Sequence, residues 1–329
     1  MRILVTGITG FAGRYLAEHL IEHLPEATVW GLVRWNSETE LLGPVAPLIR
    51  FVEGDLMDAP SLVRALRASR PDVLFHLAAA STVSSSWITP AEVLQVNAVG
   101  EVHLLEALRS LDMEPRVVVA CSGEEYGALP AHLLPATEET PLAPVSPYGV
   151  SKAAQDLLAG QYASAYALPI VRLRLFNHTG PRRPSRFVAS SFARQIAEIE
   201  AGQRPPRLEV GDLEVVRDFT DVRDVARAYR LAASRGKPGA VYNVCSGRPV
   251  TIRQLLDRLL AMSDEAVEVR VDPGRLRTAD IPELWGSHRL FTEVTGWEPV
   301  IPLEQTLHDL LEWWRREVRS GSGVGGSGQ

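Results

Sequence analysis

The chain has 329 residues, 46% hydrophobic and 22% charged, with a net charge of −6 at pH 7. That length supports a large core, as one big domain or two smaller ones. There is no apolar run long enough to span a membrane, no secretory lead ahead of Arg2–Thr6, and no excess of positive charge for nucleic acid, so a cytoplasmic protein without membrane or nucleic-acid partners is expected.

In chain order, Arg2–Thr6 reads as a strand that runs into Gly7-Ile8-Thr9-Gly10-Phe11-Ala12-Gly13, with a helix over Ala12–His23. In such a G-x-x-G-x-x-G turn, Gly7 permits a tight exit from the strand. Gly10 lets backbone approach a diphosphate, and Gly13 lets the helix pack closely. Phe11 and Ala12 lie between them, where a helix N-terminus offers its N–H groups to phosphate. The next strand, Thr28–Val33, ends at Arg34. An acid there selects NAD; a guanidinium suits the 2′-phosphate of NADP(H), with NAD(H) and a solvated Arg34 as the alternative. Strands follow at Ile49–Glu53 and Val73–Leu77, the latter running into Ala78-Ala79-Ala80, whose small side chains let backbone at Leu77, Ala78 and Ala79 lie along a cofactor. A helix over Glu92–Leu108, a strand over Arg116–Ala120, a helix over Tyr148–Tyr166 and a strand over Ile170–Leu175 complete the first half. Near-continuous apolar strands alternating with helices predict an α/β fold, a doubly wound parallel sheet of Rossmann type.

After about residue 176 the rhythm changes. The Pro/Arg-rich loop Pro181–Arg186 precedes a helix over Phe187–Ala201, strands at Leu208–Val210 and Val215–Thr220, a helix from Val222, a strand at Val241–Val244, and helices over Thr251–Met262 and Glu304–Val318. The expected organisation is a cofactor domain of 1–175 plus about 216–244, with a smaller, discontinuous α+β substrate domain of about 176–215 and 245–319. Residues 320–329, almost all Gly and Ser, read as a flexible tail. Cys121 and Cys245 lie in apolar runs without metal-ligand spacing; they read as core thiols, and no metal site is expected.

Of the 34 basic residues only Lys152 and Lys237 are lysines. Lys152 closes Tyr148-Gly149-Val150-Ser151-Lys152, which places a phenol and an ammonium on one helix face. A tyrosine of pKa near 10 is a poor acid or base at neutral pH; a nearby ammonium lowers that value and lets the phenol exchange a proton with a substrate oxygen as hydride moves to or from a nicotinamide. The lysine can also hold the nicotinamide ribose. Ser122, just past the fifth strand, supplies a hydroxyl to orient the substrate oxygen. Tyr126 is the competing tyrosine but has no lysine four residues on, and Lys237 lies in a turn, solvated.

The glycine spacing together with Ser122, Tyr148 and Lys152 resembles the extended short-chain dehydrogenase/reductases that act on nucleotide sugars. The resemblance covers nearly the whole chain before the tail. It implies an adenine contact at Asp55 and Leu56. Segments 176–181 (FNHTGP), 217–225 (RDFTDVRDV), 242–247 (YNVCSG) and 296–299 (GWEP) are similar to the GDP-sugar branch. Residues 122–127 (SGEEYG) resemble the Ser-Ser-Glu-Glu-Tyr-Gly of the reductases of GDP-4-keto-6-deoxy-D-mannose, with Gly123 in place of a serine. The resemblance implies NADPH-dependent reduction of the C4 keto group to give GDP-D-rhamnose, in a homodimer built through the helices near Glu92–Leu108 and Tyr148–Tyr166. It further implies nucleotide-sugar contacts at Asn177, Thr179, Arg217, Arg277 and Asp280. Glu124 leaves a second chemistry open: in the related GDP-mannose 4,6-dehydratases a glutamate here removes the C5 proton. UDP-sugar 4-epimerase is a third option. A cofactor-binding sensor that has lost catalysis is the non-enzymatic alternative, against which the intact Ser122, Tyr148 and Lys152 set stands.

Overall fold

The apolar runs of the first half become strands β1 (Arg2–Thr6), β2 (Thr28–Val33), β3 (Arg50–Glu53), β4 (Val73–His76), β5 (Arg116–Ser122) and β6 (Ile170–Leu175). Seven more follow: β7 (Asn177–Thr179), β8 (Arg207–Val210), β9 (Val216–Asp221), β10 (Val241–Val244), β11 (Pro249–Thr251), β12 (Glu268–Val271) and β13 (Glu283–Leu284). These come from a computed structural model that describes residues 1–275 and 281–321. The main sheet is parallel, in the order β10-β6-β5-β4-β1-β2-β3. Its order reverses between β1 and β4, which opens a crevice beyond the strands' C-terminal ends.

Helices cover both faces. On one side α1 (Phe11–His23), α8 (Val222–Arg235) and α10 (Arg289–Thr295) pack around Ile3, Val5, Val118 and Ala120. On the other, α2 (Ala59–Ser69), α5 (Gly100–Ser110) and α6 (Pro147–Tyr166) pack around Leu4, Val117, Val119 and Cys121. Successive strand residues therefore enter opposite cores, which is why these strands show no polar alternation. The short α3 (Val83–Ser86) and α4 (Pro90–Leu94) precede α5, and a π-helical turn over Gln95–Val99 interrupts the continuous helix that the pattern predicts over Glu92–Leu108. That turn carries Asn97, whose amide bonds Ala80 N and O (2.7 and 3.1 Å) and the Ser151 hydroxyl (2.9 Å).

A third core lies under α7 (Val188–Glu200), α9 (Ile252–Leu260) and α11 (Leu303–Ser320), with Trp314 filling its centre. Here β9 pairs with β7, β11 and β13 rather than with the main sheet, while α8 and β10 return to it. Among the described residues no helix is long and apolar enough to cross a membrane. Residues 322–329 of the Gly/Ser segment lie outside the described residues.

Candidate active site

The glycine turn has the geometry its spacing predicts. Gly7 adopts φ 69°, and a Cβ there would lie 2.7 Å from Ala78 N. A Cβ on Gly13 would lie 2.2 Å from Gly7 O, so neither position admits a side chain. Helix α1 begins at Phe11 without a side-chain cap, which leaves its first N–H groups to face the crevice. Thr6 Oγ1 accepts from Leu77 N and Ala78 N (3.2 and 3.1 Å) and contacts His76 Nδ1 (2.9 Å), tying the end of β4 to the turn. Ala79 follows on the same stretch. Arg34 is exposed at the end of β2, its backbone N–H held by Ser37 Oγ. Asp55, half-buried, accepts from Met57 N (2.8 Å), and Leu56 is a core side chain.

The sequence pattern ends the fifth strand at Ala120; β5 continues two residues further, so Ser122 is its last residue and the N-cap of a one-turn helix. Ser122 Oγ accepts from Glu124 N (3.2 Å), and Glu125 Oε1 accepts from Ser122 N (2.6 Å). Helix α6 starts beside this turn because Gly149 lets it approach: a Cβ there would be 2.8 Å from Glu124 O. The result brings the Tyr148 and Ser122 hydroxyls into hydrogen-bond contact. Burial pushes the Tyr148 phenol above its ordinary range; the Ser122 bond opposes this, half-buried Glu124 and then Glu125 reinforce it, and Arg183 opposes it. Lys152 is buried, donating to Ala120 O and Gln155 Oε1 (2.6 Å each). The expectation that its ammonium pulls the phenol down is not what this arrangement favours. The ammonium is tied to the strand and its own helix, and Arg183 is a cation that pulls the phenol down against the effect of burial.

Gly123 lies against the Phe176 ring, where an added Cβ would approach ring atoms to 3.2 Å. A serine there would press on that ring. Tyr126 is fully buried, donating to Asn243 Oδ1 (2.7 Å) and accepting from Arg174 (3.0 Å), so it belongs to the scaffold. Behind the site Arg174 binds Asp156 (2.7 and 2.6 Å) and reaches Glu125 (3.5 Å); Arg172 also binds Asp156 (2.8 Å).

The segment after β7 closes the front. Tyr15 donates to Pro181 O (2.9 Å), and Arg182 forms a two-pronged bond with Glu18 (2.6 and 2.8 Å), so the loop is stapled to α1. Arg183 stacks over Phe11 (4.6 Å) and Phe187 (3.5 Å), and its Nε is buried without a partner. Burial, then Arg186, pull its pKa down to about 9. His178 stacks on the other aromatic partner of this group, Phe11, at 6.0 Å and 9°, and burial holds it neutral, down to about 3. A family model described as GDP-mannose 4,6 dehydratase matches residues 4–310.

The chain belongs to the GDP-mannose 4,6-dehydratase family. Within it, the chain is 38% identical to GDP-6-deoxy-D-mannose reductase of Pseudomonas aeruginosa, over 97% of this chain and 98% of that one. It is 32% identical to GDP-mannose 4,6 dehydratase 1 of Arabidopsis thaliana, over 94% and 88%. Among solved structures, RMD from Pseudomonas aeruginosa complexed with NADPH superposes with a TM-score of 0.84 at 34% identity, over 96% of this chain and all of that one. These neighbours share the Rossmann-like parallel sheet described above.

In this family member the sequence-predicted substrate residues fall in three places. Thr179 is buried, with its Oγ1 unpartnered, and half-buried Asn177 lies two residues before it on β7. Arg217 is buried on β9 and donates to Val216 O (2.9 Å). Its neighbour Asp218 accepts from Ser246 N and Oγ and Gly247 N (2.7, 2.5 and 2.9 Å), which fixes the loop after β10. Arg277 and Asp280 lie outside the described residues. Arg183 and His178 are the site-facing groups that sequence reasoning passes over; their signal is the Pro/Arg-rich loop placed directly after a strand at the sheet's C-terminal edge. Among the described residues no cluster of side chains could hold a metal.

Proposed function

We propose that the protein is a cytoplasmic, NADPH-dependent reductase of GDP-4-keto-6-deoxy-D-mannose that gives GDP-D-rhamnose. The observation that carries this is the Ser122–Tyr148 hydroxyl pair one helical turn from Lys152, at the edge of a glycine cradle too tight for side chains. The 38% identity to a GDP-6-deoxy-D-mannose reductase over nearly both full lengths supports the choice of substrate.

The residues present fit a dinucleotide. Gly7, Gly10, Phe11, Ala12 and Gly13 would hold its diphosphate and Arg34 its 2′-phosphate. Asp55, Leu56, Leu77, Ala78 and Ala79 would line its length, and Arg183, with no anionic partner among the described residues, would neutralise charge beside Phe11. When bound, NADPH supplies the hydride. Tyr148 gives its proton to the C4 oxygen as negative charge develops there, and Ser122 orients that oxygen. A phenol whose pKa burial has raised is protonated at neutral pH, as a proton donor for reduction must be. Lys152 would hold the nicotinamide ribose. Asn177, Thr179, Arg217, Arg277 and Asp280 belong to the nucleotide-sugar side, which this reading assigns to about 176–215 and 245–319. The cofactor then lies on 1–175 with about 216–244.

Glu124, half-buried next to Tyr148, supports a second reading as a GDP-mannose 4,6-dehydratase, with NAD(H) as the alternative cofactor. One experiment separates these. The protein is incubated with GDP-mannose alone and, separately, with the 4-keto sugar plus NADPH. NADPH consumption with the keto sugar only is expected; loss of GDP-mannose without net cofactor consumption would overturn the reductase in favour of the dehydratase. The same reading takes the protein to be a homodimer, supported by the exposed Leu94, Val99, Val150 and Leu157 along α4, the π turn and α6. A monomer mass by light scattering at micromolar concentration would count against it.

A further inference from the structure

Arg14, the fourth residue of α1, is only 8% exposed. A guanidinium carries five N–H donors. Among the described residues Arg14 uses one of them, in a long bond from Nη2 to Arg182 O (3.4 Å), and its Nε is buried without a partner. The carboxylate one turn further along the helix, Glu18, is held by both prongs of Arg182. Burial first, and then the charge of Arg182, pull the Arg14 pKa below the ordinary arginine range. A buried charge with so few partners is costly to the fold, and a protein that keeps one is expected to complete it with an anion from outside the chain.

The position of Arg14 says which anion. Side chains of a helix lean toward its N-terminus, so a long residue at the fourth position covers the first turn. The bond to Arg182 O agrees with this, because the next residue, Arg183, lies over the ring of Phe11, the first residue of α1. Arg14 and Arg183 therefore stand beside the same uncapped helix start, and each has a buried, unpartnered Nε. Arg182 between them is already neutralised by Glu18. Two guanidiniums without an ion pair among the described residues, next to free N–H groups and the positive end of a helix dipole, suit a ligand with two adjacent negative charges. The diphosphate bridge of a dinucleotide is such a group.

We propose that Arg14 is a binding residue for the cofactor's diphosphate, a side chain from within the glycine-turn helix that supplements its backbone amides. The inference rests on the cofactor reading above and goes further in one respect. The diphosphate is common to NADPH and NADH, so Arg14 strengthens both and selects neither, whereas Arg34 is assigned to the group that distinguishes them.

Isothermal titration of the ligand-free protein with NADPH and, separately, with NADH tests this. Arg14→Met keeps most of the aliphatic stem and removes the charge. It should weaken both dinucleotides by the same factor, about tenfold or more, the span of a lost hydrogen bond to a charged group, and leave their ratio at the wild-type value. The melting temperature without ligand should be unchanged or higher, because a buried charge with few partners has been removed. Arg14→Gln gives the same equal loss if the methionine variant fails to fold. A loss confined to NADPH would put the guanidinium at the 2′-phosphate and overturn the proposal; wild-type affinity for both dinucleotides would overturn it too, leaving the cofactor reading intact. A wild-type protein that binds neither dinucleotide would strike the cofactor reading itself, and this proposal with it.

Discussion

Arg174 and Arg183 are both arginines held against aromatic rings on either side of the Ser122–Tyr148 pair, yet they live in opposite electrostatic settings. Arg174, behind β5 and α6, is surrounded by Asp156, Glu125, the Tyr126 hydroxyl and a carbonyl oxygen. Arg183, in front, rests on Phe11 and Phe187 and has no ion pair among the described residues. A buried cation with every donor satisfied belongs to the fold. One without an ion pair among the described residues, at the mouth of a glycine cradle, is on the proposed reading held for an anion that arrives from outside.

The largest effect is expected at the junction of the two regions. Tyr148→Phe removes only a hydroxyl, and kcat should fall by about 10²–10⁴, the range for loss of one acid/base group. NADPH binding should hold, and thermal stability should not drop, because the lost hydroxyl leaves only Ser122 to rebond. An unchanged rate with the keto sugar would remove Tyr148 from the chemistry.

Next comes the scaffold side. Arg174→Met leaves Asp156 and Glu125 buried with too little positive charge, which costs about 3–5 kcal/mol. At about 2–4 °C per kcal/mol for a chain of this size, the melting temperature should fall by about 10 °C. A variant that melts with the wild type would show that these carboxylates are neutralised by other means, and the contrast with Arg183 would collapse. The opposite sign is expected on the other side. Arg183→Met should leave the melting temperature unchanged or raise it, while weakening NADPH about 10- to 100-fold, the span of a lost hydrogen bond to a charged group. Isothermal titration of the ligand-free protein measures it; wild-type affinity would assign Arg183 to the sugar nucleotide or to packing.

How much of this the sequence shows depends on whether a residue's partners are local. The sheet is legible because buried parallel strands need unbroken apolar runs, and the glycine turn because Gly10 and Gly13 are fixed by contacts within six residues, while Gly7 needs a positive φ and meets Ala78 just past β4. Tyr148 and Lys152 are legible for the same reason, one helical turn apart. Arg183 and His178 are not. Their roles come from contact with Phe11, more than 160 residues earlier, through a loop stapled to α1 by Arg182 and Tyr15. The π turn at Gln95–Val99 left no mark in the periodicity, because it shifts the helical face by a single residue around Asn97.

The smallest effect is expected at the outer rim. Among the described residues Arg34, like Arg183, has no ion pair, but it is exposed, so water and salt screen whatever it binds. On the proposed reading its contribution is one of selection: it would meet the phosphate that NADPH carries and NADH lacks. Arg34→Ala should lower the ratio of NADPH to NADH affinity by about tenfold at low ionic strength, equivalent to about 1.4 kcal/mol. The same ratio measured at high salt should already be close to that of the variant, whereas the Arg183 effect, shielded by two aromatic rings, should persist there. If the cofactor ratio is insensitive to both the substitution and salt, the adenosine end is chosen elsewhere, and the division between bare cations that bind and paired cations that build holds only in the interior.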